Sequence, residues 1–307
     1  MYSLLVTHGG KWQEILQYSN NLGWSQDSDN MGVELNFDSR ADIAEGNYIS
    51  LRINKKEIFR GIIIKRTVRT HTFSYTCLDF MFYLNKNDEI RQFNGINASE
   101  CIKQLLRTLN INHSVVNIPT SITKIYKQQQ VGLIIDDILD QVLEETGIKY
   151  IYYMQGDIYT LERLTTKRLN AKLRVENSIT RETTIDELVN SVIVVASEGE
   201  NTNILARASD NNSISKYGRL QEVIGIDDKK YSQAQNIALN TLALKNKPKN
   251  TITLNCINLE NGENIRANTG IYLELPQKFG GKSWYWVKSV SHNLANNKHY
   301  INLTLEF

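Results

Sequence analysis

The chain has 307 residues, with 35 Lys and Arg against 33 Asp and Glu, a formal net charge of +2, and 41% hydrophobic residues. That length can bury a core without disulfide staples, and the near-neutral balance excludes a global electrostatic pull toward nucleic acid or an anionic membrane surface. No window approaches the roughly 18 apolar residues of a membrane span and MYSLLVTHGG lacks a basic n-region, so a chain made in the cytoplasm with no span is expected.

In chain order, 3–7 is a strand candidate, Gly9-Gly10 a turn, and a polar loop is expected at 25–30. Val33, Leu35 and Phe37 then alternate with polar residues, the period of a half-buried strand. In ADIAEGNYISLRI, Ile49, Leu51 and Ile53 fill one face after a turn glycine, Gly46. The turn KKE leads to the β-branched run IFRGIIIKR, and FSYTCLDF closes the set. Residues 1–92 thus read as a first tube-like β domain, with a meander as the economical topology.

The writing changes near Asn94. Asn97 with Glu100 three residues on predicts a capping box, and Ile102, Leu105, Leu106 and Leu109 make a helical stripe over 98–109. A second stripe, Ile134, Ile135, Ile138, Leu139, Val142 and Leu143, ends at Gly147, a left-handed cap residue, and KYIYYM-QGD-IYTLERL reads as a hairpin. Two helices and a hairpin make an α+β insert over 93–165. NSVIVVAS and NILARAS, separated by the polar turn EGEN, return to strand writing. They open a second tube-like β domain, assigned to 166–209 and 247–307. It is split by a helical insert, 210–246. Asp227 and Asp228 suit the start of the helix there, Ala234, Ile237, Ala238 and Leu242 its buried face, and Pro248 follows its end.

The last stretch repeats the first domain. Ile252, Leu254 and Cys256 alternate as Val33, Leu35 and Phe37 do. Ile271, Leu273 and Leu275 follow Gly270 as Ile49, Leu51 and Ile53 follow Gly46. WYWVKSVSH answers IFRGIIIKR, and Leu78-Asp79-Phe80 is mirrored by Leu305-Glu306-Phe307. The fold class expected is mainly β with α+β inserts: two duplicated antiparallel β-barrel domains of tube type plus two smaller helix-containing domains.

A search for chemistry yields no convergent set. His8, His71, His113, His292 and His299 stand at no metal-ligand spacing and are expected in solvated turns or near strand ends. Asp136, Asp137, Asp140, Glu144 and Glu145 lie opposite an Ile and Leu stripe and are expected to be its solvated face. No P-loop, GxGxxG or GxSxG occurs. Cys77, Cys101 and Cys256, odd in number and far apart, are expected to be small buried hydrophobes without disulfide or metal. No catalytic, cofactor-binding or metal residues are therefore expected, and no cofactor. A local basic run, Arg52, Lys55, Lys56, Arg60, Lys65, Arg66 and Arg69 against Glu57 alone, suits solubility or a subunit contact better than nucleic acid, because stacking aromatics are not interleaved with the charges as a single-strand binding surface needs.

The segments SRADIAEGNYISLRIN with IFRGII, the DF of TCLDFMFYLNKND, INASECIKQLL, NNSISKYGRLQEVI and YWVKSVSHNLANNKHYINLTLEF resemble the XkdQ-type tail hub proteins of contractile-tailed phages and phage-tail-like bacteriocins. The resemblance spans essentially the whole chain. It implies a structural, non-enzymatic homotrimer seated between the tail tube, or a tube-initiator protein, and the central spike protein. Other baseplate proteins and the tape measure protein would be neighbours, in a particle released from the cell. An alternative reading is a carbohydrate-binding or adhesin module in which Trp284 and Trp286 stack on sugars; a third is a cell-wall hydrolase.

Overall fold

The computed structural model describes residues 2–28, 32–164, 168–196, 203–226, 228–295 and 298–307. Three stretches carrying sequence expectations, 29–30 of the expected polar loop, the turn at 198–201 and Asp227, lie outside them. The chain is mainly β, with several sheets and a few helices, as the period-two writing requires.

β1 (Tyr2–His8) and β2 (Lys11–Glu14) form a hairpin over Gly9 and Gly10, both in the left-handed region that L side chains avoid. β3 (Ser19–Asp27) runs on through 25–27, where a polar loop is expected, because Ser25 and Gln26 find ladder partners in Glu34 and Val33. β4 (Val33–Ser39), β5 (Tyr48–Ile53), β6 (Lys56–Val68) and β7 (Phe73–Asp79) follow and pair antiparallel in the order β4-β7-β6-β5. Their inward faces build one core with Leu4, Val6, Trp24, Leu35, Phe37, Ile49, Leu51, Phe59, Ile63, Tyr75 and Cys77. Each such large side chain contributes about 1.5–3 kcal/mol by leaving water.

After α1 (Met81–Lys86) come β8 (Asp88–Asn97), α2 (Ala98–Thr108), β9 (Asn112–Val115), β10 (Ser121–Gln130), α3 (Val131–Thr146), β11 (Tyr150–Gln155) and β12 (Ile158–Arg163). Both expected helices and the hairpin are present, and Gly147 ends α3 at φ 68. The capping box is not. Asn97 accepts no amide; Ala98 N–H donates to Thr120 O at 2.8 Å, and Glu100 pairs with Arg107 at 2.8 Å. The incoming 118–120 segment supplies the acceptors a side-chain cap would have offered. β8 and β10 make a two-stranded sheet, and β9 joins the β11-β12 hairpin in parallel.

β13 (Arg168–Leu169) and β14 (Lys172–Thr184) lead to β15 (Ser191–Ala196), β16 (Ile204–Ser209), α4 (Asn211–Tyr217), β17 (Gln221–Ile226) and α5 (Ala234–Lys245). Here the strand-like 166–209 divides. β14 joins the large sheet, whereas β15 pairs with β16 and, in parallel, with β17, a strand inside the expected helical insert. Val192, Val194, Ala206 and Ala208 pack on Ala234, Ile237 and Ala238 of α5, with Leu242 half-buried beside them. A run of Val and Ile that is apolar on both faces asks for a helix cover and a parallel neighbour, which an alternating strand does not.

β18 (Lys249–Glu260), β19 (Gly270–Glu274), β20 (Lys282–Ala295) and β21 (Lys298–Glu306) complete the chain and pair in the order β18-β21-β20-β19. This is the order of the first unit, and its core is Ile252, Leu254, Cys256, Ile271, Leu273, Leu275, Tyr285, Val287, Val290, Ile301, Leu303 and Leu305. The chain divides into two compact units, 1–135 with 151–181 and 251–307, and 136–150 with 182–250. Both copies of the repeat belong to the first.

Candidate functional site

The two copies correspond residue by residue, though not in the frame their endings suggest. In β6 a bulge falls between Ile63, opposite Cys77, and Lys65, opposite Thr76. In β20 one falls between Val287, opposite Leu305, and Ser289, opposite Thr304. Aligned on the bulge, Cys77 matches Leu305, Leu35 matches Ile252, and Phe37 matches Leu254. Leu78 and Phe80 therefore do not stand in the places of Leu305 and Phe307. Leu78 is half-exposed and Leu305 fully buried, so the shared Leu-acid-Phe ending is one residue out of phase, and a one-residue slip turns every side chain over. The second expected pairing holds: Ile49 faces Gly61 as Ile271 faces Tyr285, each two residues before the bulge. Ahead of these strands Gly46 and Asn268 both take positive φ, 86 and 62, and both donate to the bulge residue's carbonyl, Ile63 O at 2.9 Å and Val287 O at 2.8 Å. Asn268, not Gly270, is the turn counterpart of Gly46, for Asn also tolerates the left-handed region.

The copies are fused edge to edge. β3 pairs with β4 on one side and with β20 on the other, from Asp27 opposite Ser289 to Leu22 opposite Leu294. One hydrogen-bonded path therefore runs β14-β18-β21-β20-β3-β4-β7-β6-β5-β1-β2. Its ends are β14 and β2, and every residue of β2 is exposed. Strand edges with unpaired backbone groups are templates for another chain.

The seam holds the polar groups that the sequence misplaces. His292 and His299 are 1% and 5% exposed, not solvated. His292 Nδ1 lies 2.9 Å from His299 Nε2, and its Nε2 3.2 Å from Ile265 O. His299 Nδ1 meets Asn258 Nδ2 at 3.1 Å and Tyr2 Oη at 3.3 Å. The Trp24 indole stacks on His292 with centroids 4.5 Å apart. Burial, with His299 beside it, pushes His292 down to about 3; burial pushes His299 down to about 4 against the pull of Glu263. His8 and His71 are exposed and His113 half-buried.

Two further charges sit inside the same unit. Asp79 accepts Val33 N–H at 2.8 Å and Met81 N–H at 3.0 Å, yet burial pushes its carboxyl up to about 7. Arg266 donates to Ile58 O at 3.1 Å and Met154 O at 3.4 Å, and burial lowers its guanidinium.

The basic run is less basic than its sequence. Arg60 pairs with Glu57 at 3.0 Å and reaches Asp157 at 3.9 Å; Arg66 pairs with Asp42 and, at 3.3 Å, with Glu45. Glu57 stands in the run itself; the other acids come from the β4–β5 connection and the β11–β12 turn, out of sight of a local count. The acidic face of α3 is half-covered: Glu145 meets Lys230 at 2.7 Å and Asn240 donates to Glu144 O at 3.0 Å. Trp284 carries the Arg168 guanidinium 4.6 Å above its ring and the edge of Tyr272 at 5.8 Å, so one stacking face a sugar would use is taken. Cys77, Cys101 and Cys256 are buried thiols, and among the described residues no His, Cys, Asp or Glu cluster is arranged to hold a metal and no helix is long and apolar enough to cross a membrane.

A family model described as YQBQ-like matches residues 22–306. YqbQ of Bacillus subtilis (strain 168) is 27% identical over 269 residues, covering 85% of this chain and 81% of its own length. The phage-like element PBSX protein XkdQ of the same strain is 25% identical over 316 residues, covering 99% and 96%. Among solved structures, the tail protein from Neisseria meningitidis MC58 superposes with a TM-score of 0.73 at 14% identity, covering 100% of this chain and 96% of that one.

Proposed function

The chain belongs to the YQBQ-like family, and on that premise we propose that it is a structural protein of a phage or phage-like tail, the baseplate hub that joins the tail tube to the central spike. The observation that carries the reading is the duplicated four-strand unit, with its order, bulge and left-handed turn residue repeated, fused into one sheet through β3 and β20. A protein with two similar β units per chain can assemble by threes into a ring of pseudo-sixfold symmetry and so meet a sixfold tube on one side and a threefold spike on the other. Head-to-tail closure needs two different complementary surfaces on each subunit, and the β2 and β14 edges at opposite ends of the strand path supply them. Tube-initiator, tape measure and other baseplate proteins would be the neighbours. The place of action would be the particle, a DNA-filled phage or a DNA-free bacteriocin.

The test is the mass in solution by light scattering, followed by end-on electron microscopy with tube protein added. A trimeric ring stacking coaxially on tube is expected; a stable monomer that never stacks would overturn the reading. A scaffold of this kind should clear no peptidoglycan in a zymogram, and with Trp284 capped by Arg168 it should bind no glycan as an isolated subunit.

A further inference from the structure

Against the β3–β20 ladder lies a chain of hydrogen bonds, crossing from the first β unit to the second at Tyr2–His299, that has only one consistent proton arrangement. Ile265 O can only accept, so His292 carries its proton on Nε2 and presents a lone pair at Nδ1. His299 must then donate from Nε2 to His292 Nδ1, which leaves the single lone pair of its own Nδ1 as an acceptor shared by Asn258 Nδ2 and the Tyr2 hydroxyl. Tyr2, Asn258, His299, His292 and Ile265 are thereby satisfied together with both imidazoles neutral. One more proton on either ring sets N–H against N–H in a buried site.

We propose that the His292–His299 pair is a proton-sensitive latch, which holds the first β unit against the second when both rings are neutral and releases the β3–β20 seam when either ring is protonated. The contacts come from every element that meets there. β1 contributes Tyr2, β3 the Trp24 ring stacked on His292, β18 Asn258, and the turn before β19 Ile265. The charged groups facing the pair are Glu263, which favours a proton on His299, and Arg266, which disfavours one on His292. A released seam would leave each unit its own strand order and core, since the pairs of β4-β7-β6-β5 and β18-β21-β20-β19 do not pass through β3. The latch stands independently of the hub reading: it concerns one subunit and needs no partner.

Linkage fixes the pH window. Folded values below the unfolded 6.5 mean that the latch is intact above 6.5 and weakens as pH falls toward the folded values. Below 6.5 the opening constant should rise about tenfold per pH unit for each histidine.

The experiment is histidine-selective nitrogen NMR on the full chain from pH 8 to 4.5, with hydrogen exchange of β3 and β20 over the same range, corrected for the intrinsic exchange rate. Expected are two imidazoles held neutral as Nε2–H tautomers at pH 6, and seam amides that lose protection on further acidification before the β4–β7 amides do. The double variant His292→Gln, His299→Gln should lose this acid response while keeping the β4–β7 protection. Imidazoles that all titrate near 6.5, seam protection falling only together with the β4–β7 core, or an acid response that survives in the double variant would each overturn the proposal. Should the double variant not fold, the wild-type tautomers and order of opening decide it.

Discussion

The two β units share strand order, bulge and turn, yet they fill their cores by opposite means. At the place two residues before the bulge the first unit has Gly61 and the second Tyr285. A Cβ on Gly61 would overlap the Leu78 carbonyl oxygen and the Phe59 ring, because Phe59 leans across the gap that Tyr285 fills from within. The first unit adds Phe37 stacked on Tyr75 at 4.9 Å, where the second has Leu254 and Leu303. Two residues past the matched Cys77 and Leu305, the first unit buries Asp79 while the second ends at Phe307, half in solvent beside Tyr285 and Arg181. A duplicated backbone thus fixes where volume must go and leaves free which residue supplies it.

The comparison breaks most sharply at Gly61. Gly61→Val should abolish soluble folded protein, or cost more than about 3 kcal/mol in a urea titration, because backbone oxygen rather than a flexible side chain stands in the way. Next, Tyr285→Ala should cost about 4 kcal/mol as a cavity in the second core. Tyr285→Phe should cost about 1 kcal/mol for the bond from its hydroxyl to Gly281 O at 2.9 Å.

Asp79 sharpens the comparison by sign. Its folded value, about 7, lies above the unfolded 3.8, so its contribution is present below 3.8 and is lost as pH rises toward 7. The seam histidines run the other way over an overlapping window. Asp79→Asn should therefore make stability fall more steeply on acidification from pH 6.5 to 5 than in the wild type, by about 1.4 kcal/mol per pH unit in urea midpoints taken across that range. The smallest effect belongs to the surface. Arg66→Ala breaks pairs to Asp42 and Glu45 that are open to water and should move the urea midpoint least of these variants, by an amount that diminishes with added salt.

What the sequence carried was the periodic part. The repeat, α2, α3, the β11–β12 hairpin and α5 were legible because each buries one face at a constant period. The frame of the repeat was not, because the two Leu-acid-Phe endings stand one residue apart on their paired strands, and matching them by sequence aligns residues that face opposite sides. β8 and β10 escaped because their pairing shifts between Ile122 and Thr123 and again between Tyr126 and Gln129, which scrambles the alternation. His299 was findable, since it stands in phase with Ile301, Leu303 and Leu305, all buried. Read as a strand face rather than as a histidine, it belonged to the core. Asp157, which joins Glu57 on Arg60, and Asp42 and Glu45, which neutralise Arg66, come from other turns, and only folding reveals such partners.

The pairing of β3 with β20 also sets how the chain answers force. Two modules joined by a linker bend at the linker, and strain gathers there. Here the ladder from Asp27–Ser289 to Leu22–Leu294 makes the joint one more row of the same hydrogen-bonded lattice. A load along these strands would shear several bonds at once, while a load across them would part the bonds in sequence. The sheet should therefore be stiff along its strands and compliant where strands peel.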